Sequence, residues 1–242
     1  MREEASGTPI LSVGYGAIVL IERSMHPQWL SNAYLLADEP GGTGVFIDSG
    51  APLDPLHEAV EREGLQITHL LTTHSHSDHV AGDKELVERY GLEIVKGPVE
   101  TGGLRIQALE TPGHADDHLA FLANDTVAFT ADILFKDAVG GGPDAEPIRR
   151  SVMDVLMTLP PEVRVLPGHT EETTICREWE ENPFVTYWRG ESKSIEEAVR
   201  VGGEAATLVV WSPDYDGKGK ALVRLVGGEE RIVGGSRVER GN

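Results

Sequence analysis

Residues 68–82 read THLLTTHSHSDHVAG. Three histidines and an aspartate, His74, His76, Asp78 and His79, stand within the six positions 74–79 of this stretch. The apolar residues ahead of them predict a buried strand over ITHLLTT, and Val80-Ala81-Gly82 predicts a turn into a helix. In extended backbone, residues i and i+2 face the same side, so His74 and His76 can reach one cation together. Asp78 and His79 sit where the chain turns and can reach a second cation. Neutral imidazole and carboxylate suit zinc, iron or manganese.

One loop does not fill two coordination spheres, and other strand ends offer single ligands. TPGHADDH puts His114 after a Pro-Gly turn, and VRVLPGHT puts His169 after another. VAFTADILF puts Asp132 at the end of an apolar strand, where an uncompensated acid is costly. His74, His76 and His114 make one set, and Asp78, His79 and His169 a second. Asp132, with its two carboxylate oxygens, is the natural bridge. Two metals about 3.5–4 Å apart would turn a shared water into hydroxide near neutral pH and polarise a carbonyl or phosphoryl oxygen.

H-x-H-x-D-H at 74–79, T-P-G-H at 111–114, a lone Asp132 after a strand and P-G-H at 167–169 occur in that order, with VFIDSG upstream at 45–50. Together they resemble the metallo-β-lactamase fold superfamily over about residues 10–185. The resemblance implies an α/β (α+β) fold, a four-layer αβ/βα sandwich with metals at one edge of two facing sheets. The Asp132 bridge and the P-G-H ending are most similar to the glyoxalase II (hydroxyacylglutathione hydrolase) group. Departures from that group are Ser75 where a further histidine is usual, KDAVGGGPDAE after Asp132 where a G-C-G-R-type stretch is usual, and a β-rich tail in place of a basic helical domain. They weaken glutathione as the substrate and leave ester, thioester or lactone hydrolysis open.

The resemblance thus implies a metal-dependent hydrolase with two divalent ions, zinc first. A metal-bridging hydroxide would attack the carbonyl, Asp132 would bridge, and Asp78 would add a proton relay to its ligand role. The alternative is a mononuclear iron persulfide (sulfur) dioxygenase holding one Fe on His74, His114 and Asp132; mixed Fe, Zn or Mn loading is a variant of either. A module keeping metal for structure only is a third reading, against which the open ligand sets argue. β-Lactamases of this superfamily commonly use a cysteine at the second metal, and Cys176 stands in the wrong place for that.

Around the ligands, Asp48 in IDSG and His118 in HLAFL are candidates to orient them, with a turn residue and a strand residue as the plainer readings. His26 and Trp29 in RSMHPQWLSNAY and Lys136 are candidates to touch substrate. His69 reads as a buried strand histidine and His57 as an exposed helix residue. Cys176, beside Ile175 and Trp179, reads as packing.

The 242 residues are 40% hydrophobic and carry 40 acidic against 21 basic side chains, a formal net charge of -19. Such a surface repels polynucleotides and anionic membranes, so a small-molecule substrate is expected, and oligomeric state is left open. No apolar run approaches the roughly 18 residues of a membrane span. The opening MREEASGTPI carries no secretory pattern, so a cytoplasmic protein is expected. A single cysteine excludes an internal disulfide.

Strand and helix signals alternate along the chain. ILSVGYGAIVLI, NAYLLAD, VFID, LEIV, LRIQALE, HLAFL, TVAFT and VRVL read as strands, and LDPLHEAVEREG, KELVERYG, PIRRSVMDVLMTLPP and about 171–181 as helices. Asp54 is expected to N-cap the first helix and Gly64 to end it. A catalytic domain over 1–190 is expected, followed at 191–242 by a short helix in KSIEEAVR and a small β hairpin or meander docked on the main body.

Overall fold

The computed structural model describes residues 20–169 and 171–241, so residues 10–19 of the first expected strand lie outside the described residues. Two sheets form the centre. The first runs in the order β1 (Leu20–Met25), β2 (Asn32–Ala37), β3 (Thr43–Ile47), β4 (Gln66–Leu71) and β5 (Glu93–Val95). The second comprises β6 (Val99–Thr101), β7 (Leu104–Glu110), β8 (Leu119–Ala123) and β9 (Val127–Ala131), joined by β12 (Arg164–Pro167) and β13 (Thr173–Thr174). A small hairpin of β10 (Leu134–Phe135) and β11 (Ala138–Val139) stands between.

Side-chain alternation gives each sheet two buried faces. Along β2, Tyr34 and Leu36 turn inward with Val45, Ile47 and Leu71 to meet Ile106, Phe121, Phe129 and Leu166 of the second sheet. Leu35 and Ala37 turn outward with Phe46 and Leu70. That outer face is covered by Leu56, Ala59 and Val60 of α1 (Asp54–Glu63) and Leu86 of α3 (Asp83–Tyr90), which follows the single turn α2 (Ser77–Val80). Each such fully buried Leu or Phe contributes about 1.5–3 kcal/mol. The second sheet's outer face, Ala120, Leu122, Ala128 and Val165, packs on Ile148, Val152, Leu156, Ile175, Phe184 and Val185. Those residues come from α4 (Ala145–Arg150) and its irregular continuation to Thr158, α5 (Ile175–Glu181) and α6 (Pro183–Trp188). The layers therefore run helix, sheet, sheet, helix.

Helix ends follow local chemistry with one shift. Gly64 and Gly91 end α1 and α3 with φ of 65° and 68°, a left-handed conformation that glycine adopts without strain. Leu53, not Asp54, is the N-cap of α1, and Asp54 lies in the first turn, where its charge faces the helix dipole.

The C-terminal segment departs from expectation. KSIEEAVR is not a helix: Glu197–Val201 is strand β14, paired with β15 (Glu204–Ser212) and β18 (Val238–Arg240). Gly202 and Gly203, with φ of 57° and 84°, form the tight hairpin turn that sets this pairing, and cross-strand contact overrides the helix propensity of Glu and Ala. With β16 (Lys220–Leu225) and β17 (Glu230–Gly234) the result is a five-stranded sheet, larger than the expected hairpin or meander. Val209, Val210, Leu222 and Ile232 dock it on the α4–α6 layer. Among the described residues no helix is long and apolar enough to cross a membrane.

Candidate metal centre

The ends of β4, β7, β9 and β12 open at one edge of the sandwich, and each is followed by polar residues that turn into the same space. His74 and His76 lie past β4, Asp78 and His79 on α2, His114 past β7, Asp132 directly after β9 and His169 after β12. The structure brings all of them together in three overlapping groups that could hold metal ions: His74, His76 and His114; His74, His79 and Asp132; Asp78, His79 and His169. Within each group the ligand atoms lie within 4.8 Å of one another. His76 Nδ1 is 3.0 Å from the Nε2 atoms of both His74 and His114. Asp132 Oδ2 is 3.4 Å from Nε2 of His114 and 3.4 Å from Nε2 of His169, and Asp132 Oδ1 is 3.2 Å from Nε2 of His79. His169 Nε2 is 3.7 Å from Asp78 Oδ2.

The far sides of the rings are fixed by hydrogen bonds. His114 Nδ1–H donates to the Gly141 carbonyl at 3.1 Å, leaving Nε2 to face the centre. His79 Nδ1–H donates to Asp48 Oδ2 at 2.7 Å. Asp48, buried and with φ of 55°, also accepts from Thr73 N–H and Thr73 Oγ1–H, each at 2.8 Å. It therefore ties the histidine loop to α2 and aims His79 inward. His118 Nε2 accepts the Asp132 backbone N–H at 3.2 Å, and its Nδ1 meets Thr111 Oγ1 at 2.9 Å. Both residues expected to orient ligands thus touch one.

Two buried atoms test whether a cation fits. His79 Nε2 and Asp132 Oδ1 have no hydrogen-bond partner; their 3.2 Å approach lacks hydrogen-bond geometry. A proton or a cation has to lie between a buried nitrogen and a buried carboxylate oxygen at that distance. Without a cation, burial pulls the His79 pKa down, but Asp132 and Asp48 outweigh it and hold the ring well above its ordinary value. Burial raises Asp132, and His79 and His169 more than reverse this, keeping it an ionised carboxylate. Burial, reinforced by His79, pushes His74 down to about 3, so it is a neutral donor. Burial likewise lowers His114, so His74 and His114 offer neutral nitrogens beside an ionised carboxylate, and the proton that Asp132 and Asp48 favour on His79 sits where a divalent cation would replace it.

Close backbone approach makes this packing possible. A Cβ on Gly168 would stand 2.2 Å from Asp132 Oδ1 and 2.8 Å from His79 Cε1, which is why a glycine precedes His169. A Cβ on Gly50 would stand 1.6 Å from the Asp78 carbonyl oxygen.

The Metallo-beta-lactamase superfamily model matches residues 26–102, the segment that holds the histidine loop. Over that segment the chain is similar to the metallo-β-lactamase superfamily, and its layered sandwich is that superfamily's fold. It is 36% identical over 159 residues to a hydroxyacylglutathione hydrolase of Rhizobium meliloti (strain 1021), which covers 56% of this chain and 60% of that protein. The chain thus spans about three fifths of the length of that relative. Among solved structures, ETHE1 from Myxococcus xanthus is 29% identical with a TM-score of 0.62 over 70% of this chain and 85% of its own. TTHA1623 in a di-iron-bound form is also 29% identical, with a TM-score of 0.56 over 66% and 98%.

The remaining candidates lie outside the three groups. His26 accepts from Gln28 N–H and Trp29 N–H through Nδ1 and stacks on Trp29 at 4.4 Å, so its first role is to shape its own loop. That loop leads into Ser31, which bridges to His169, and Trp29 is exposed beside it. Lys136 pairs with Glu171 at 2.7 Å at the surface. His57, expected on an exposed helix face, is buried, with Tyr90 Oη and Glu85 on its two nitrogens. His69 is half-buried and meets Thr68 Oγ1. Cys176, expected to pack, is exposed, with its thiol 3.7 Å from Glu180.

One site residue gave no signal in the sequence. Tyr215, in the PDYDGKGK turn between β15 and β16, stacks on His169 with centroids 4.2 Å apart and planes 2° apart. Phe135 closes the cluster 5.5 Å from Tyr215. Burial, with Asp132 and Asp214, raises the Tyr215 phenol, which stays protonated. Lys220 holds the turn through Asp214 at 3.0 Å. Only the docking of the C-terminal sheet brings this ring to the centre.

Proposed function

We propose that this chain is a hydrolase holding two divalent cations, zinc first, that cleaves an ester, thioester or lactone carbonyl of a small molecule. The reading is carried by one observation: the single carboxylate of Asp132 faces ligand atoms of both the His74 and the Asp78 sides, with His79 Nε2 and Asp132 Oδ1 orphaned between them. His74, His76 and His114 would hold one cation, Asp78, His79 and His169 the other, and Asp132 would bridge. Cations held there would supply Lewis acidity and a nucleophile at neutral pH. The likeness to hydroxyacylglutathione hydrolases supports the reaction class, and the di-iron form of TTHA1623 supports a two-metal centre.

The chain's own residues would do the rest. Asp48, Gly141 O and His118 keep the ring nitrogens and the Asp132 backbone in place before substrate arrives, so little reorganisation is left to the reaction. Asp78 is partly exposed, with one oxygen 3.7 Å from His169, and can pass a proton to a departing group. Tyr215 shields His169 from water on one face.

The experiment is a panel of thioesters, esters and lactones with metal-loaded protein. Turnover that disappears in Asp132→Asn supports the reading; a doubly loaded protein that turns over none of them refutes it. The mononuclear iron persulfide dioxygenase is a second reading, given some support by the likeness to ETHE1. It needs only His74, His114 and Asp132, and so leaves the Asp78, His79 and His169 group without a purpose. One bound iron with oxygen uptake on glutathione persulfide would put it first.

A further inference from the structure

We infer that the cleft between the metal centre and the C-terminal sheet binds an oxyanion arm of the substrate, a carboxylate or a phosphate, through Arg231 and Arg237. What is turned over rests on the hydrolase reading; what is bound rests on the cleft. The cavity has a volume of about 580 Å³, within the usual range for small-molecule sites. His114 and Pro143 line one side, and Val201, Arg231 and Arg237 the other. Because His114 belongs to the histidine group of the centre, a molecule in this cleft touches the site at one end and the arginines at the other.

The two walls are fixed to each other. Gly142 N–H donates to Ile232 O at 2.9 Å and Ile232 N–H to Gly142 O at 3.1 Å, while the adjacent Gly141 carbonyl holds His114. Strand β17, which carries Arg231, is therefore anchored to the loop that aims a centre histidine. Arg231 makes ion pairs with Glu204 at 3.9 Å and Glu229 at 3.8 Å, both longer than a hydrogen bond, so an oxyanion in the cleft would compete with two loosely held glutamates for its donors. Glu204 also lines the cleft and offsets part of the positive charge.

The composition makes this lining selective. In a chain with 40 acidic and 21 basic residues, this wall carries two arginines against one glutamate. The overall charge of -19 repels anions at a distance, so an anionic substrate needs a local guanidinium cluster to be held. Planar guanidinium forks match the paired oxygens of carboxylate and phosphate.

The test uses the metal-loaded full chain and three thioesters sharing an acetyl group. S-acetyl-mercaptosuccinate carries carboxylates, S-acetyl-4′-phosphopantetheine a phosphate, and S-acetyl-N-acetylcysteamine neither. In R231Q/R237Q, KM for the anionic compounds rises about tenfold or more, with kcat and the neutral compound within about twofold. The anionic compound with the larger rise identifies the oxyanion. Binding of the non-hydrolysable S-methyl thioethers of the two anionic thiols, measured by calorimetry, weakens by a similar factor. Glu204→Gln tightens it, a gain that misfolding does not produce. If no thioester is turned over, the hydrolase reading fails while the binding comparison still decides the cleft. Equal dissociation constants in wild type and R231Q/R237Q overturn this inference whatever the turnover.

Discussion

Asp48→Asn separates a ligand-orienting carboxylate from a simple turn residue. The Asp48 carboxylate serves donors only: His79 Nδ1–H at 2.7 Å, Thr73 Oγ1–H at 2.8 Å and Thr73 N–H at 2.8 Å. An amide keeps the shape, and asparagine tolerates the φ of 55°, so backbone strain does not change. Its NH₂ must nevertheless face one of those donors. If the amide oxygen stays with Thr73 N–H, the NH₂ meets His79, which then carries its proton on Nε2 and presents no lone pair to a cation. If the oxygen turns to His79, Thr73 N–H is left buried and unpaired, at about 1–3 kcal/mol. Either way, affinity at the Asp78, His79 and His169 position falls about 10- to 100-fold, the range for partners of metal-binding histidines. The His74, His76 and His114 position changes less. Chelator-competition titration of the two affinities on metal-stripped Asp48→Asn reads this directly. Two ions bound with wild-type affinities would refute the orienting role of Asp48.

Gly168→Ala places a Cβ 2.2 Å from Asp132 Oδ1, among buried side chains that cannot yield, so at least one ion is lost while far-UV circular dichroism stays native; elemental analysis of the variant checks it. Tyr215→Leu removes the ring stacked on His169 and lowers the thermal midpoint by the equivalent of about 1 kcal/mol, with faster metal release, whereas Tyr215→Phe keeps both near wild type. Burial and the neighbouring His74 depress His118 to about 3, against an ordinary 6.5. On acidification the unfolded chain therefore takes up a proton that the folded one refuses. Stability of the metal-stripped protein falls from about pH 6.5 downward, by about 2 kcal/mol at pH 5 from this group, and levels off near pH 3. Urea midpoints at pH 7 and pH 5 should show His118→Asn losing less than wild type.

The clustering of the candidate metal-binding residues was legible in the sequence because its signals are local. The spacing of His74, His76, Asp78 and His79 survives whatever the rest of the chain does, and the Pro-Gly turns before His114 and His169 mark strand ends without reference to a partner. The sheets were legible because strands such as NAYLLA and VAFTA are buried on both faces and read as largely apolar runs. What was not legible depends on contacts far apart in sequence. KSIEEAVR has helix-forming composition, but the Gly202-Gly203 turn and the partner strands decide its conformation. His57 sits on a helix that looks amphipathic, and its burial follows from Tyr90 and Glu85 arriving from α3. Tyr215 lies in what reads as a plain turn, and nothing in PDYDGKGK signals that docking of β15 and β16 will lay its ring on His169.

Metal identity and stoichiometry bear most directly on the central claim. Elemental mass spectrometry on protein purified without added metal or chelator should find close to two divalent ions per chain, zinc first. In Asp132→Asn that figure should fall, because the bridge is lost. A folded wild-type protein that binds no first-row metal even after reconstitution, or that saturates at a single ion, would contradict the two-cation centre.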